Sequence, residues 1–220
     1  MKHIFFSILT TLAFWHCQEP APAPKNVLNC YVRYDVAGKK VKAEASLRDG
    51  SSKNIIELPG GIRFQSTEMK VLPVRGITYS VEFPAVYTAD PVFEWKTRKG
   101  EKGEFKPGVP SIDSFFFATK VLSIKNPSIL QWVGKPLGKG ETLVFMWENT
   151  AEGRTVPMEV STTLGAPIIE IPAAKMAQVG VGDWSLYLVR KRFEKAELAE
   201  FLIESSAEFY TKPMLVKIEG

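Results

Sequence analysis

The sequence predicts an all-β protein made of two sandwich domains, and three observations predict it. Apolar and polar residues alternate with period two along many short runs. Gly and Pro, 16 and 15 of them in 220 residues, interrupt the chain too often for long helices. The runs recur at a spacing of about 8–12 residues, the pattern of a β-sandwich. The length suits two domains of about 100 residues each. A composition 45% hydrophobic and 24% charged supports packed cores rather than disorder.

The first element reads as a targeting segment. Lys2 and His3 make a short polar start, and residues 4–15 are mostly apolar. That run is shorter than the about 20 residues a bilayer-spanning helix needs, and it fits a signal-peptide core. Cys17 follows, then Gln18-Glu19-Pro20-Ala21-Pro22-Ala23-Pro24, an extended polyproline-type spacer. Leader, cysteine and spacer in this order resemble a bacterial lipoprotein precursor. The resemblance implies a signal peptide over 1–16, a lipidated Cys17 as the mature amino terminus, and a tether over 17–25. Phe14 and His16 stand where that family carries Leu and a small residue. Ordinary leader-peptidase cleavage after Ala21-Pro22-Ala23 is the competing reading, although Pro24 directly after the cut is unfavourable.

Beyond the tether, Cys30, Val32, Tyr34 and Val36 alternate with Tyr31, Arg33 and Asp35. After the turn Ala37-Gly38-Lys39-Lys40, Val41, Ala43, Ala45 and Leu47 alternate with Lys42, Glu44 and Ser46. Two such runs around a Gly-containing turn predict a β-hairpin with one wet face. Short strands are expected over 55–58, 62–64, 69–72, 77–83 and 92–97, the last running into a charged turn over 96–103. A second series covers 121–124, 143–147, 156–160, 168–171, 181–189 and 214–218. Pro172 opens one expected helical turn reaching Gln178. The Ala-, Glu- and Leu-rich segment 193–209 has apolar residues Leu198, Phe201, Leu202 and Phe209, which favour a short amphipathic helix near 196–205 over a long loop with an edge strand. Val92-Phe93-Glu94-Trp95 and Val144-Phe145-Met146-Trp147 form a weak internal echo. The expected domains are 26–122 and 123–220.

Segment 140–190 is similar to an immunoglobulin-like domain. The residues that carry this are the apolar strand ending in Trp147, the strand Ile168-Ile169-Glu170-Ile171, the turn with Pro172 and Met176, and the run from Gly180 through Asp183-Trp184 to Leu188. Trp184 stands where the family usually has Tyr, and the family's paired cysteines are absent. The tandem arrangement behind a lipoprotein leader resembles surface lipoproteins of Bacteroidetes-type bacteria. That resemblance implies an exported protein, anchored to the outer membrane through its lipid, with a possible envelope-protein or glycan partner.

Chemistry is constrained mainly by exclusion. His3 and His16 are the only histidines, and both lie in the leader. A mature chain without histidine has no Ser-His-Asp or Cys-His catalysis and no histidine-ligated zinc. Cys17 and Cys30 are the only cysteines, too few for an all-cysteine zinc site. Cys30 reads as a small buried hydrophobe; a Cys17–Cys30 disulfide stays open if lipidation fails. Phosphate-cradling, dinucleotide and calcium-loop motifs are absent, so no cofactor is expected. A net charge of +4 is too weak and too dispersed for a nucleic-acid binder.

Three groups of residues remain as candidates. Trp95, Trp147 and Trp184 sit in apolar strands and read as core, whereas Trp132, near turn residues, is the candidate ligand or interface contact. Glu94, Glu148, Glu159 and Asp183 are the carboxylates on or beside strands, and no spacing selects a catalytic pair among them. The basic residues Lys96, Arg98, Lys99, Lys102 and Lys106, and again Arg190, Lys191 and Arg192, read as solvated turns. The functional expectation is a non-enzymatic envelope lipoprotein that binds or assembles with a partner. A carbohydrate-binding lipoprotein of a glycan-uptake system is the first alternative, and a carboxylate-dependent hydrolase the second.

Overall fold

The computed structural model describes residues 24–72, 77–97, 100–161, 165–198 and 200–220. Cys17, the leader and most of the spacer lie outside the described residues. The first two strands are β1 (Asn26–Asp35) and β2 (Lys40–Arg48). They form the antiparallel hairpin expected from the alternation. Leu28, Cys30, Val32 and Tyr34 pair with Leu47, Ala45, Ala43 and Val41, and all eight are buried. At the turn the Gly38 N–H donates to Asp35 Oδ1 at 2.8 Å.

Short strands follow: β3 (Ile55–Ile56), β4 (Ile62–Phe64), β5 (Thr67–Glu68), β6 (Lys70–Leu72), β7 (Thr78–Pro84), β8 (Phe93–Lys96) and β9 (Lys102–Phe105). Then come β10 (Ser114–Phe117), β11 (Val121–Ser123), β12 (Ser128–Val133), β13 (Glu141–Asn149), β14 (Arg154–Val160) and β15 (Ile168–Ile171). The helix α1 (Ala173–Val179) starts after Pro172, as the sequence predicts, and turns Met176 and Val179 inward. The chain closes with β16 (Gly182–Glu197), β17 (Phe201–Tyr210) and β18 (Met214–Glu219).

These strands make an all-β molecule of packed sheets. The largest sheet has eleven strands, with the path β11-β18-β16-β17-β1-β2-β7-β6; β13 and β14 add beside β16, and β3 adds to β2. A four-stranded sheet, β5-β4-β8-β9, covers one part of its inner face, and a three-stranded sheet, β10-β12-β15, covers another. The first contact is made by Phe64 on Phe83 and by Trp95 on Phe201, with ring centroids 6.2 and 5.9 Å apart. The second includes Phe117 stacked on Trp147 at 6.0 Å. Trp147 and Trp184 are core residues, 0% and 1% exposed. The echo tetrapeptides are not equivalent, since β8 belongs to the four-stranded sheet and β13 to the large one.

The segment 193–209 departs from expectation: no helix forms near 196–205. β16 continues to Glu197, and β17 follows as a strand with Phe201, Ile203, Ser205, Ala207 and Phe209 buried. Helix propensity from Ala and Glu is worth only tenths of a kcal/mol per residue. It is overridden because β17 bonds along its whole length to β16 on one side and, in parallel, to β1 on the other.

That pairing also bears on the partition at 122/123. β10 precedes this point yet pairs with β12. β17 lies far beyond it yet pairs with β1. The link is one long hairpin. β17 and then β18 run antiparallel along β16, joined through the Thr211 N–H donating to the Leu188 carbonyl at 3.0 Å. β1 lies parallel to β17, and β11 lies parallel to β18. At about 3.3 Å per residue, β16 spans roughly 50 Å and contributes to both sandwiches.

Candidate interaction surfaces

Trp132, the aromatic contact expected from the sequence, is inside the protein. It is 3% exposed, and its Nε1–H donates to the Lys135 carbonyl at 3.0 Å. The reason is the pleat of β12. Ser128, Leu130 and Trp132 point to the core, and Ile129 and Val133 point out. Trp95, Trp147 and Trp184 are buried as well. Among the described residues, tryptophan therefore offers no open face for a ligand. Cys30 is a free buried thiol, and burial pushes its pKa up, as suits a small core residue.

The four candidate carboxylates do not form a catalytic centre. Glu94 accepts Lys102 Nζ at 2.6 Å on the outer face of the β8–β9 hairpin, beside a cavity of about 230 Å³ that Gly60, Arg63 and Lys96 help to line. Glu159 lies on β14 and faces Val144. Glu148 pairs with Ser185, two positions along β16 from Asp183 on the same face. Glu148, Glu159 and Asp183 line none of the principal cavities. Among the described residues no cluster of His, Cys, Asp and Glu is arranged to hold a metal ion.

Two members of the first basic group are paired with neighbouring acids. Lys102 pairs with Glu94 and with Glu104, and Lys106 pairs with Glu104 at 3.3 Å. The carboxylate of Glu94 raises the pKa of Lys102, and Lys106 lowers that of Glu104. Arg98 and Lys99 lie outside the described residues.

The second basic group differs from expectation. Arg190, Lys191 and Arg192 lie within β16 rather than in a turn, and Arg190 is 1% exposed. Its guanidinium is fully engaged. Nε and Nη2 donate to Glu141 Oε2, Nη2 also to the Pro136 carbonyl at 2.7 Å, and Nη1 to the Lys135 and Ser111 carbonyls at 2.8 and 3.2 Å. Arg190 thus ties the loops around residues 111 and 135 to the middle of β16. The sequence contained a signal for this: Arg190 continues the even-numbered series Trp184, Leu186 and Leu188, all buried. A buried charge is tolerated only when paired and hydrogen-bonded, and this one is.

Arg190 forms the floor of a cleft of about 400 Å³, lined among others by Tyr87, Asp90, Lys135, Glu141 and Arg192. Tyr87 donates to the Val109 carbonyl, and its ring sits edge-on to Tyr34 and Phe209, each at 5.2 Å. Arg192 pairs with Glu194 at 2.9 Å and lies against Gly108, where an added Cβ would come within 2.6 Å of its Nη1. Of the cations of this cleft, Arg190 holds loops and Arg192 is paired along its own strand.

Two other surfaces are open. On the outer face of the large sheet, Glu208 accepts from Tyr31 at 2.8 Å and from Tyr210 at 3.0 Å, and pairs with Lys191 at 3.4 Å. Burial and then the Glu208 charge push the Tyr210 phenol up to about 12. Arg33 covers the Tyr210 ring at 4.0 Å, and Tyr187 stacks beside it at 6.2 Å. The second surface is apolar. Phe116, Ile129 and Val133 are 46%, 39% and 50% exposed on the outer face of the three-stranded sheet. No strand is expected over 114–117 from the sequence, yet β10 forms there.

No family model matches the chain. No curated protein matches it either. Among solved structures, murine CEACAM1b aligns at 10% identity over 89% of this chain and 100% of that one, with a TM-score of 0.29. A likeness at that level carries no argument about function.

Proposed function

We propose that the chain is a non-enzymatic protein of a bacterial cell envelope, anchored through a lipid on Cys17, which binds or assembles with a partner. The observation that carries this reading is the hairpin shared by both sandwiches. Because β16 contributes to each, the molecule offers fixed outer surfaces rather than a cleft that closes on a substrate. Lys25, where the spacer meets β1, holds the hairpin's turn through Glu197 at 2.8 Å and the Leu198 carbonyl at 3.1 Å. A lipid on Cys17 would hold that end near the membrane and direct the β18 end outward. The absence of histidine beyond residue 16 supports a role without catalysis. A glycan platform has little to recommend it, since the tryptophans among the described residues are buried and the Tyr210 ring is covered by Arg33.

Mass spectrometry of the protein isolated from bacterial membranes tests the anchor. A mature chain beginning at an acylated Cys17 is expected, with Cys17→Ala releasing the protein from the membrane fraction. An unacylated chain beginning elsewhere would refute it. Glycosidase, esterase and peptidase substrates should show no turnover. Turnover abolished by one Asp or Glu substitution would establish a hydrolase instead, and saturable binding on a glycan array without turnover would establish the sugar-binding alternative.

A further inference from the structure

Sheet edges expose unpaired backbone groups, and proteins usually blunt them with charge, proline or brevity. Most edges here are blunted. β14 carries Pro157, Arg154 and Glu159; β15 is bounded by Pro167 and Pro172; β9 carries Lys102 and Glu104. β3, β5, β6 and β11 are two or three residues long. β10 is different. It reads Ser114-Phe115-Phe116-Phe117, with no charge and no proline, and it ends its sheet.

Its open side can be assigned from the ladder. The Ala118 N–H donates to the Ile129 carbonyl at 3.1 Å, and Phe116 and Ser114 pair with Gln131 and Val133. In an antiparallel ladder every second residue turns its backbone to the same neighbour. Phe115 and Phe117 therefore direct their N–H and C=O groups to the free edge. Beside that edge lies the apolar patch of Phe116, Ile129 and Val133. The strand is flanked by exposed residues of opposite charge, Asp113 and Lys120, neither of them in an ion pair among the described residues.

We infer that β10 is a self-pairing edge, through which two copies of the chain associate antiparallel about a two-fold axis at Phe116. Phe115 of each copy then exchanges hydrogen bonds with Phe117 of the other, and the two three-stranded sheets become one of six strands. The charges single out a second copy as the partner. A strand with an acid before it and a base after it complements itself when reversed, so that Asp113 of each copy meets the Thr119-Lys120 end of the other. The two apolar patches become continuous across the axis, which favours a symmetric contact. This pairing does not depend on the membrane anchor, so its failure would leave the proposed function standing.

Light scattering of the purified full chain in detergent, with protein mass separated from detergent mass, tests it. A concentration-dependent dimer is expected. Phe116→Lys, at an exposed position, should weaken it roughly tenfold or more with the melting temperature unchanged. Asp113→Lys should weaken it by like-charge contact, and the double variant Asp113→Lys with Lys120→Asp should restore it. A monomer at every concentration would overturn the inference, and so would a dimer indifferent to Phe116→Lys or to the charge swap. Binding of an unrelated extended peptide at β10 by a monomeric chain would replace the second copy with a different partner.

Discussion

Arg190 and Glu141 form an ion pair inside the protein, with side chains 2% and 8% exposed, where β16 is flanked by β13 on one side and β17 on the other. The guanidinium also bonds three carbonyls, so its removal leaves the buried Glu141 carboxylate without its counter-charge, held only by the Gly138 N–H at 2.9 Å, and takes this donor from the Ser111 and Pro136 carbonyls. Arg190→Leu should cost about 3–5 kcal/mol, measured by chemical denaturation. Arg190→Lys should recover little, because one ammonium cannot replace a planar fork with five donors. A loss below about 1 kcal/mol would mean that the pair does not hold the junction.

The shared hairpin makes a clear statement about folding units. A fragment of residues 24–122 retains β1 and β2 but lacks β17, and with it the buried Phe201, Ile203 and Phe209. That fragment should show no cooperative thermal transition and a poorly dispersed amide spectrum. A well-folded fragment would establish that the N-terminal sandwich is independent of the hairpin.

The tryptophans should behave as core. Trp147→Ala and Trp184→Ala should each cost about 3–5 kcal/mol, the usual penalty for truncating a buried large aromatic. Trp132→Phe keeps most of the ring volume and loses the bond to the Lys135 carbonyl, which Arg190 still satisfies. About 1 kcal/mol is expected there. Thermal or denaturant melts decide each case, and an unchanged midpoint for Trp147→Ala would contradict its burial.

Stability should fall at both ends of the pH scale. Bonding to Lys195 holds Glu204 below the ordinary carboxylate value, so the unfolded chain binds its proton more readily. The stabilisation is present above the ordinary pKa and disappears as pH falls through the folded one. Tyr210 is raised from 10.0 to about 12 by burial and by Glu208. Above pH 10 the unfolded chain loses this proton while the folded chain keeps it, so stability declines as pH rises from 10 to 12. Melting temperature against pH, with tyrosinate absorbance at the alkaline end, reads both arms. A phenol at position 210 that titrates no later than the unfolded chain would contradict the Glu208 cluster.

Much of the architecture is written locally. The β1–β2 hairpin follows from the alternation of Cys30, Val32 and Tyr34 with polar residues, and from Gly38 at the turn. The ends of β15 and the helix after Pro172 follow from proline punctuation. Period two in β16 also placed Trp184, Leu186 and Leu188 on one face. The same rule extends to Leu130 and Trp132, and to Arg190, where residue type suggested exposure but strand parity determined burial. Proximity to turn residues was the weaker signal, because a pleated strand keeps its facing right up to the turn.

By itself the sequence determined the all-β class, most strand positions and the aromatic core, because side-chain facing along a strand depends on near neighbours alone. The tertiary structure decided that 201–210 is a strand, that it lies parallel to β1, and that Arg190 finds Glu141 and three carbonyls. Those outcomes rest on hydrogen bonds between segments far apart in the chain. A local pattern records which way a residue points, but not which distant strand or loop will be there to meet it.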